Sequence, residues 1–306
     1  MRPARSPSSI GSPCGRVFRA TLRPFEHHGA RTVAEALALL ARYRGRARLL
    51  AGGTDVVVRM KLDRERPEAL VDIKRVAALG GPIRLVGGSR VAIPALARLA
   101  DLTSSALLRR KLPVLAEAAS LMASPQVRNR ATIGGNLANA APSADMAPPL
   151  IALGASVRVH SRRGVATVPL DEFFLGPGET VLGRSKVLGA ILVPLPPRGA
   201  RAIYRTHTVR EAMDISIASV AIYVERRGRT IRRARIALGA VAPIPLRVRE
   251  AERALEGTDG GAPALAAASV AAAHAARPID DVRGSADYRR EIVRVLVRRA
   301  LEEAPA

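Results

Sequence analysis

Cysteine and aromatic residues are scarce in this sequence, and each shortage excludes a class of protein. Cys14 is the single cysteine among 306 residues. The chain can therefore form no intrachain disulfide and hold no cysteine-ligated iron–sulfur cluster of its own. Tryptophan is absent and aromatic residues make up 3% of the chain. The core must rely on Leu, Val, Ile and Ala, which suits layers of helices and sheets better than an aromatic-rich sandwich.

Long apolar stretches are also missing. No run reaches the roughly 18 residues that span a bilayer as a helix. Residues 1–16 are rich in Arg, Ser and Pro but lack the apolar segment of a secretory signal. The sequence therefore predicts a chain that is not transmembrane and lies in the cytoplasm, where it could also associate peripherally with the inner membrane.

Basic residues outnumber acidic residues by 49 to 26, which gives a formal net charge of +23. Such a charge raises the question of nucleic-acid binding. However, nearly all the basic residues are arginines spread along the whole chain, and the aromatic side chains that would stack on bases are scarce. We therefore expect no nucleic-acid partner and assign the charge to docking on acidic partner subunits.

Hydrophobic periodicity divides the chain into a leader and three units. We expect residues 1–21 to form a disordered basic leader. Thr32 and Glu35 then form a capping box that predicts a helix to about Tyr43, and a short buried strand follows at Arg48–Ala51. Further predicted helices are Val56–Lys61, Pro94–Leu99, Ser104–Arg110, Pro113–Leu121, Arg247–Leu255, Ala262–Ala276 and Ala286–Leu301. Further predicted strands are Ala69–Ile73, Ile83–Val86, Ala155–His160, Val165–Leu170, Ile217–Glu225 and Thr230–Leu238.

The first chemical signal is a glycine turn at Leu49–Asp55. A strand ends there, Gly52 and Gly53 permit close approach of a ligand to the main chain, and Thr54 and Asp55 lie near the start of a helix. Exposed amides at such a turn form an anion-binding site. Most glycine pairs between a strand and a helix are ordinary turns, so this segment alone leaves both interpretations open.

A second glycine turn lies at Thr132–Asn136, and Asp145 follows it. The amides of Gly134 and Gly135 could reach a second phosphate face, and the Asp145 carboxylate could accept hydroxyl protons from a sugar or ribityl chain. The alternative is a capped turn followed by a proline-rich loop. Neither turn has the spacing of a dinucleotide-binding GxGxxG motif, so a doubly wound nicotinamide domain is disfavoured.

Further segments along the chain match those of a known family and follow the same order. They are Ala123–Asn136, Ala141–Asp145, Asp171–Phe174 with Thr180, Arg210 with Asp214, Ile236–Pro243, Asp281–Arg289 and Arg299–Leu301. Together with the first turn they span roughly residues 22–302. The ordered set resembles the medium, FAD-binding subunit of the xanthine dehydrogenase and aerobic carbon monoxide dehydrogenase (molybdenum hydroxylase) family. The stretch Leu85–Ala92 and the extra basic leader depart from the family pattern.

The resemblance implies an α+β fold. A two-part FAD-binding domain of the PCMH type would comprise a small α/β subdomain at 22–80 and a larger α+β subdomain at 81–198. A C-terminal flavoprotein domain, made of a small antiparallel sheet with helices, would occupy 199–306.

The resemblance also implies the site. The two turns would hold the FAD diphosphate from opposite sides, and Asp145 would bind FAD hydroxyls. The implied FAD-binding residues are Leu49, Leu50, Ala51, Gly52, Gly53, Thr54, Asp55, Val56, Met122, Thr132, Ile133, Gly134, Gly135, Asn136, Asp145, Leu188 and Arg205. No catalytic side chain and no metal ligand is assigned, because the isoalloxazine ring itself performs the redox chemistry.

The function that the resemblance implies is electron transfer within a molybdenum-containing hydroxylase. A large subunit would bind molybdopterin and a small subunit would hold 2Fe–2S clusters, in a dimer of heterotrimers. FAD on this chain would pass electrons to a quinone, NAD or oxygen. Two alternatives stay open from the sequence: a stand-alone FAD-dependent oxidase or reductase, and a basic binding protein without a cofactor.

Overall fold

The computed structural model describes residues 22–210 and 213–304, so the predicted leader lies outside the described residues. The helices are α1 (Val33–Arg42), α2 (Val56–Lys61), α3 (Leu99–Ser104), α4 (Ala106–Lys111), α5 (Pro113–Leu121), α6 (Pro125–Arg128), α7 (Ile133–Asn139), α8 (Ala147–Ala152), α9 (Arg249–Arg253), α10 (Ala262–Ala275) and α11 (Ala286–Glu302). The strands are β1 (Glu26–Gly29), β2 (Ala47–Leu50), β3 (Ala69–Asp72), β4 (Arg84–Val86), β5 (Arg90–Pro94), β6 (Ser156–Ser161), β7 (Gly164–Pro169), β8 (Phe174–Gly176), β9 (Glu179–Thr180), β10 (Val187–Pro194), β11 (Arg201–His207), β12 (Ala218–Arg227), β13 (Thr230–Gly239) and β14 (Leu246–Arg247).

The first sheet is parallel, with strand order β1–β3–β2. Helix α1 buries Ala36, Leu37 and Leu40 in the small core of this unit. The Thr32 hydroxyl accepts a hydrogen bond from the Glu35 amide, as the capping box predicts. Strand β1 escaped prediction because it is a mostly exposed edge strand without an apolar pattern.

The second sheet is antiparallel, with strand order β4–β5–β10–β6–β7, and it includes the predicted β6–β7 hairpin. The predicted helix at Pro94–Leu99 is wrong. Strand β5 runs to Pro94, and the fully buried Ile93 pairs with Ile191 of the central strand β10. Helix α3 begins only at Leu99. Burial between sheet partners distant in sequence overrides the local pattern here.

The third sheet is antiparallel, with strand order β11–β12–β13–β14. Helices α9 and α11 lie against one face, with α10 packed on both of them, and α8 from the preceding unit lies against the other face. Both faces of β12 are therefore shielded, and its first eight residues are all buried. The sheets lie within the segments predicted as 22–80, 81–198 and 199–306, whose exact boundaries stay a prediction. In the described part of the chain, no helix combines the length and apolarity needed to cross a membrane.

An ion-pair cluster joins the second and third units. The Arg247 guanidinium donates hydrogen bonds of 2.9 Å to each oxygen of the buried Glu252 carboxylate. It also lies 3.4 Å from Asp171, which precedes β8. The hydrogen bond to Glu252 is the main cause that raises the pKa of Arg247. The exposed Arg249 adds a longer contact of 3.5 Å to Asp171.

Candidate functional site

A cleft of about 1060 Å³ lies where the three units meet. Ligand sites of small molecules and cofactors commonly enclose roughly 300–1,000 Å³, so this cleft is at the large end of the range. Its wall includes the first glycine turn, the second glycine turn and residues 213–215 of the third unit. All three units therefore contribute to one site.

The first glycine turn touches the main chain directly before the second turn. A Cβ atom placed on Gly52 would lie 2.1 Å from the Arg130 carbonyl oxygen and 3.0 Å from the Ala131 Cα. Only glycine permits this approach of two main chains. A second link joins the helices that follow the turns, since the Asn139 side-chain amide donates a hydrogen bond of 3.0 Å to Asp55. The fold thus brings together two segments that lie far apart in the sequence.

The first turn presents a row of amides without partners. The main-chain N–H groups of Gly52, Gly53, Thr54, Asp55 and Val56 make no hydrogen bond to any residue that the structure describes. All five residues line the cleft. Gly53 has a φ of +79°, a left-handed conformation that glycine adopts without strain. A row of consecutive free amides at such a turn suits an anionic group.

The second turn works differently from the expectation. Its amides have partners inside the chain: Gly134 donates to the Ala95 carbonyl at 2.9 Å, and Gly135 donates to the Thr132 hydroxyl at 3.1 Å. A Cβ on Gly134 would lie 2.6 Å from the Ala95 oxygen. Gly134 therefore allows α7 to pack closely against Ala95, directly after β5, and does not supply a free donor.

Asn136, in the second turn, has a side-chain oxygen without a hydrogen-bond donor among the described residues. This oxygen, Oδ1, is buried. The residue lines the cleft. A buried acceptor without a partner carries a desolvation penalty of about 1–3 kcal/mol, which a ligand donor would relieve.

Asp145 lies in the same wall, between α7 and α8. Its oxygen Oδ1 accepts hydrogen bonds from Tyr204 at 2.8 Å and from Ser216 at 2.6 Å. Oδ2 has no partner among the described residues, which leaves it available to a ligand. Burial raises the pKa of Asp145, and the two hydroxyl donors act in the opposite direction.

Most of the predicted site residues line the cleft. They are Leu49, Ala51, Gly52, Gly53, Thr54, Asp55, Val56, Met122, Thr132, Gly134, Gly135, Asn136, Asp145 and Leu188. Three others do not line it. The side chain of Ile133 is fully buried in the core, and Leu50 ends strand β2 beside Gly53. Arg205 instead pairs with Glu303, directly after the terminal helix α11.

The sequence did not predict the contribution of residues 213–215. Met213 and Ile215 are largely exposed although apolar, and both line the cleft. Asp214 holds this loop together, since its carboxylate accepts the amides of Val209, Arg210 and Ile215. These amides are the main cause of its lowered pKa. The Arg210–Asp214 pair was the one sequence signal for this loop.

Metal binding finds no support in the geometry of the described ranges. In residues 22–210 and 213–304, no group of three or more His, Cys, Asp or Glu side chains could hold a metal ion.

The cleft offers free amides to an anionic group and unpaired acceptor oxygens to hydroxyl groups. This combination defines a protein that binds an anionic, hydroxyl-bearing cofactor. Comparison with known proteins identifies the cofactor. Residues 23–196 match the family model described as the FAD binding domain in molybdopterin dehydrogenase, and residues 202–304 match the CO dehydrogenase flavoprotein C-terminal domain. The chain belongs to this molybdopterin dehydrogenase FAD-binding family.

Individual relatives agree over nearly the whole chain. The carbon monoxide dehydrogenase medium chain of Hydrogenophaga pseudoflava is 40% identical over 280 residues, covering 92% of this chain and 96% of the relative. The xanthine dehydrogenase FAD-binding subunit of Escherichia coli O157:H7 is 34% identical, with coverages of 92% and 96%. The solved carbon monoxide dehydrogenase from Hydrogenophaga pseudoflava that lacks the Mo-pyranopterin moiety superposes with a TM-score of 0.90 at 40% identity, covering 93% of this chain and 98% of that one.

These matches confirm the predicted family and the predicted α+β fold with its two-part FAD-binding domain and C-terminal sheet. They also confirm the oxidoreductase class and FAD as the cofactor. The residues that contact FAD stay a prediction, which the geometry supports for those that line the cleft and not for Leu50, Ile133 and Arg205.

Proposed function

We propose that this chain is the FAD-carrying electron-transfer subunit of a molybdenum-containing hydroxylase. The row of free amides at Gly52–Val56 is the observation on which the proposal rests. These amides line a cleft large enough for a dinucleotide, and the contact between Gly52 and Arg130 holds them beside the second turn. Consecutive amides of this kind bind phosphate oxygens without any charged side chain.

The residues of the cleft fit the chemistry of FAD. The amides of Gly52–Val56 would bind the diphosphate. The Asn136 oxygen would accept a hydrogen bond from the cofactor, and Asp145 Oδ2 would accept one from a hydroxyl group. When bound, FAD supplies the redox chemistry of its isoalloxazine ring. The chain itself binds and orients the cofactor, and we assign it no catalytic acid or base.

The partners belong to the proposal as well. The names of the relatives, a medium chain and an FAD-binding subunit, support a multi-subunit complex. We place molybdopterin on a large partner subunit and 2Fe–2S clusters on a small one, in a dimer of three-subunit units. This chain would take electrons from the small subunit and deliver them to a quinone, NAD or oxygen. The complex would reside in the cytoplasm, with peripheral attachment to the inner membrane as a further proposal.

Flavin titration tests the cofactor site directly. The full-length chain, freed of flavin, is titrated with FAD, FMN and riboflavin while flavin fluorescence is recorded. We expect binding of one FAD per chain and at least about tenfold weaker binding of FMN, which lacks the diphosphate. A chain that retains no FAD after free cofactor is removed, or binds riboflavin as tightly as FAD, contradicts the proposed site.

Metal analysis separates the proposal from the alternative of a stand-alone oxidase. The tagged chain is purified from its native host under mild conditions, and molybdenum and iron are measured in the eluate. We expect both metals to co-purify with two further chains. A yellow, catalytically active chain that purifies alone without metals would favour the stand-alone enzyme instead.

A further inference from the structure

We infer that Tyr204 and Ser216 of the C-terminal domain position the Asp145 carboxylate, so that its second oxygen receives a hydroxyl group of bound FAD. The inference rests on the proposed function. Neither Tyr204 nor Ser216 lines the cleft, so both would act on the cofactor only through Asp145. The consequence is that the C-terminal domain contributes to cofactor binding without touching the cofactor at these residues.

The hydrogen bonds to Asp145 fix the orientation of its carboxylate. Tyr204 lies on β11 and Ser216 lies just before β12, and both hydroxyls reach the same oxygen, Oδ1, at 2.8 and 2.6 Å. Tyr204 and Ser216 are 2% and 4% exposed. Two buried donors on one oxygen hold the carboxyl group in a single rotation about its Cβ–Cγ bond. Oδ2 is therefore presented on the side where the cleft lies.

The direction of each hydrogen bond follows from the available partners. Thr206 donates its hydroxyl proton to Ser216 Oγ at 2.7 Å, and Ser216 donates its own to Asp145. Burial, followed by the nearby Asp145 carboxylate, raises the pKa of Tyr204 well above its ordinary value. The phenol therefore keeps its proton and donates it. Both donors to the carboxylate favour its ionised form, which accepts hydrogen bonds through both oxygens.

Burial opposes these donors, since it is the largest cause that raises the pKa of Asp145. The titratable group that faces Asp145 is Tyr204. Asp214 also lines the cleft, but its carboxylate is engaged by three amides of its own loop. Removal of the Tyr204 or the Ser216 hydroxyl leaves one donor against burial and raises the pKa of Asp145 further. The protonated carboxyl group then loses acceptor capacity toward FAD.

The pH dependence of FAD binding tests the inference. The dissociation constant of FAD is measured from mildly acidic to mildly alkaline pH for the full-length chain and for Tyr204→Phe, Ser216→Ala and Ser216→Thr. Tyr223→Phe is the matched control, because Tyr223 is a buried tyrosine on the neighbouring strand that contacts Glu225 outside the cleft. Thermal unfolding of each flavin-free variant verifies that it folds.

We expect affinity to fall on the acid side in every protein, with a midpoint about one pH unit higher for each lost hydroxyl. Ser216→Thr, which retains a hydroxyl, and Tyr223→Phe should behave like the parent. If Tyr204→Phe does not fold, the two Ser216 variants decide. A loss of affinity that is uniform across pH, or no loss at all, overturns the inference. Absence of FAD binding by the parent chain would instead refute the proposed function.

Discussion

The Cα of Gly52 lies against the main chain of Arg130, and this contact sets the distance between the two glycine turns. Any side chain at position 52 would meet the Arg130 carbonyl oxygen at 2.1 Å. Because the obstacle is main chain, it cannot rotate away as a flexible side chain would. The turns would have to separate, and the amides beside them would lose their position relative to the second turn.

Replacement of Gly52 by alanine should therefore affect folding and cofactor binding together. We expect Gly52→Ala to lower the free energy of unfolding by about 1–3 kcal/mol, as overpacking does, and to weaken FAD binding at least about tenfold. Gly29→Ala is the matched control, since a Cβ there meets nothing within 4 Å. Denaturant unfolding and FAD titration measure both effects. Equal behaviour of the two variants would refute the contact.

Asn136 should show opposite effects on the free and the bound chain. Asn136→Ala removes a buried oxygen that has no partner, and alanine is the better helix former in α7. We expect the flavin-free chain to be as stable as the parent or slightly more stable. FAD affinity should fall by about 1 kcal/mol, or roughly fivefold, as one hydrogen bond is lost. Lower stability with unchanged affinity would show that Asn136 serves the fold alone.

The Asp55–Asn139 hydrogen bond predicts a difference between two substitutions at one position. Asp55→Asn keeps an acceptor oxygen for the Asn139 amide, whereas Asp55→Ala removes it. We expect Asp55→Ala to reduce the stability of the flavin-free chain by about 1 kcal/mol and Asp55→Asn to leave it within about 0.5 kcal/mol. Asn139→Ala, combined with each variant, tests whether the two side chains are coupled. It should lower the stability of the parent and of Asp55→Asn, but not that of Asp55→Ala, where the hydrogen bond is already absent.

Asp55 also gives the flavin-free chain a pH dependence. The cleft walls desolvate its carboxyl group and raise its pKa, although part of the side chain stays exposed. A raised pKa in the folded state contributes stability below the unfolded pKa of about 3.9, and this contribution is lost as pH rises through the folded pKa. As pH rises through the folded pKa, the parent should therefore lose stability relative to Asp55→Asn, which has no carboxyl group at this position. A constant difference across pH would contradict it.

Arg247 should matter far more than its neighbour Arg249. Arg247→Met leaves the buried Glu252 carboxylate without its guanidinium partner, and breaking a buried pair lowers stability by about 3–5 kcal/mol. Arg249→Met breaks only an exposed contact of 3.5 Å to Asp171 and should change stability by less than about 1 kcal/mol. Denaturant midpoints of both variants provide the measurement. A loss below about 1 kcal/mol in Arg247→Met would show that the Ile236 amide, which donates to Glu252 at 3.0 Å, satisfies the carboxylate without the guanidinium.

Local chemistry made part of the fold predictable. Helices α2 and α5 begin and end where the sequence predicts, at Val56–Lys61 and Pro113–Leu121. The glycines before α2 and Pro113 in the first turn of α5 mark where these helices begin. The two glycine turns were recognised for the same reason.

Long-range pairing made the rest inaccessible. Strand β5 depends on the pairing of Ile93 with Ile191, which no local pattern reveals. Likewise, nothing near Gly134 in the sequence shows that its amide is bonded to Ala95. The donors of Asp145 come from Tyr204 and Ser216, at separations of 59 and 71 residues. Such relationships arise only when the three units are packed together.

The internally bonded amides of the second turn bear on how the subunit matures. Gly134 and Gly135 of this turn donate their main-chain hydrogen bonds to Ala95 and Thr132, so we expect the backbone of the turn to form without a nucleotide. We therefore expect flavin insertion to follow folding as a separate step. A flavin-free subunit should then accept FAD that is added after folding.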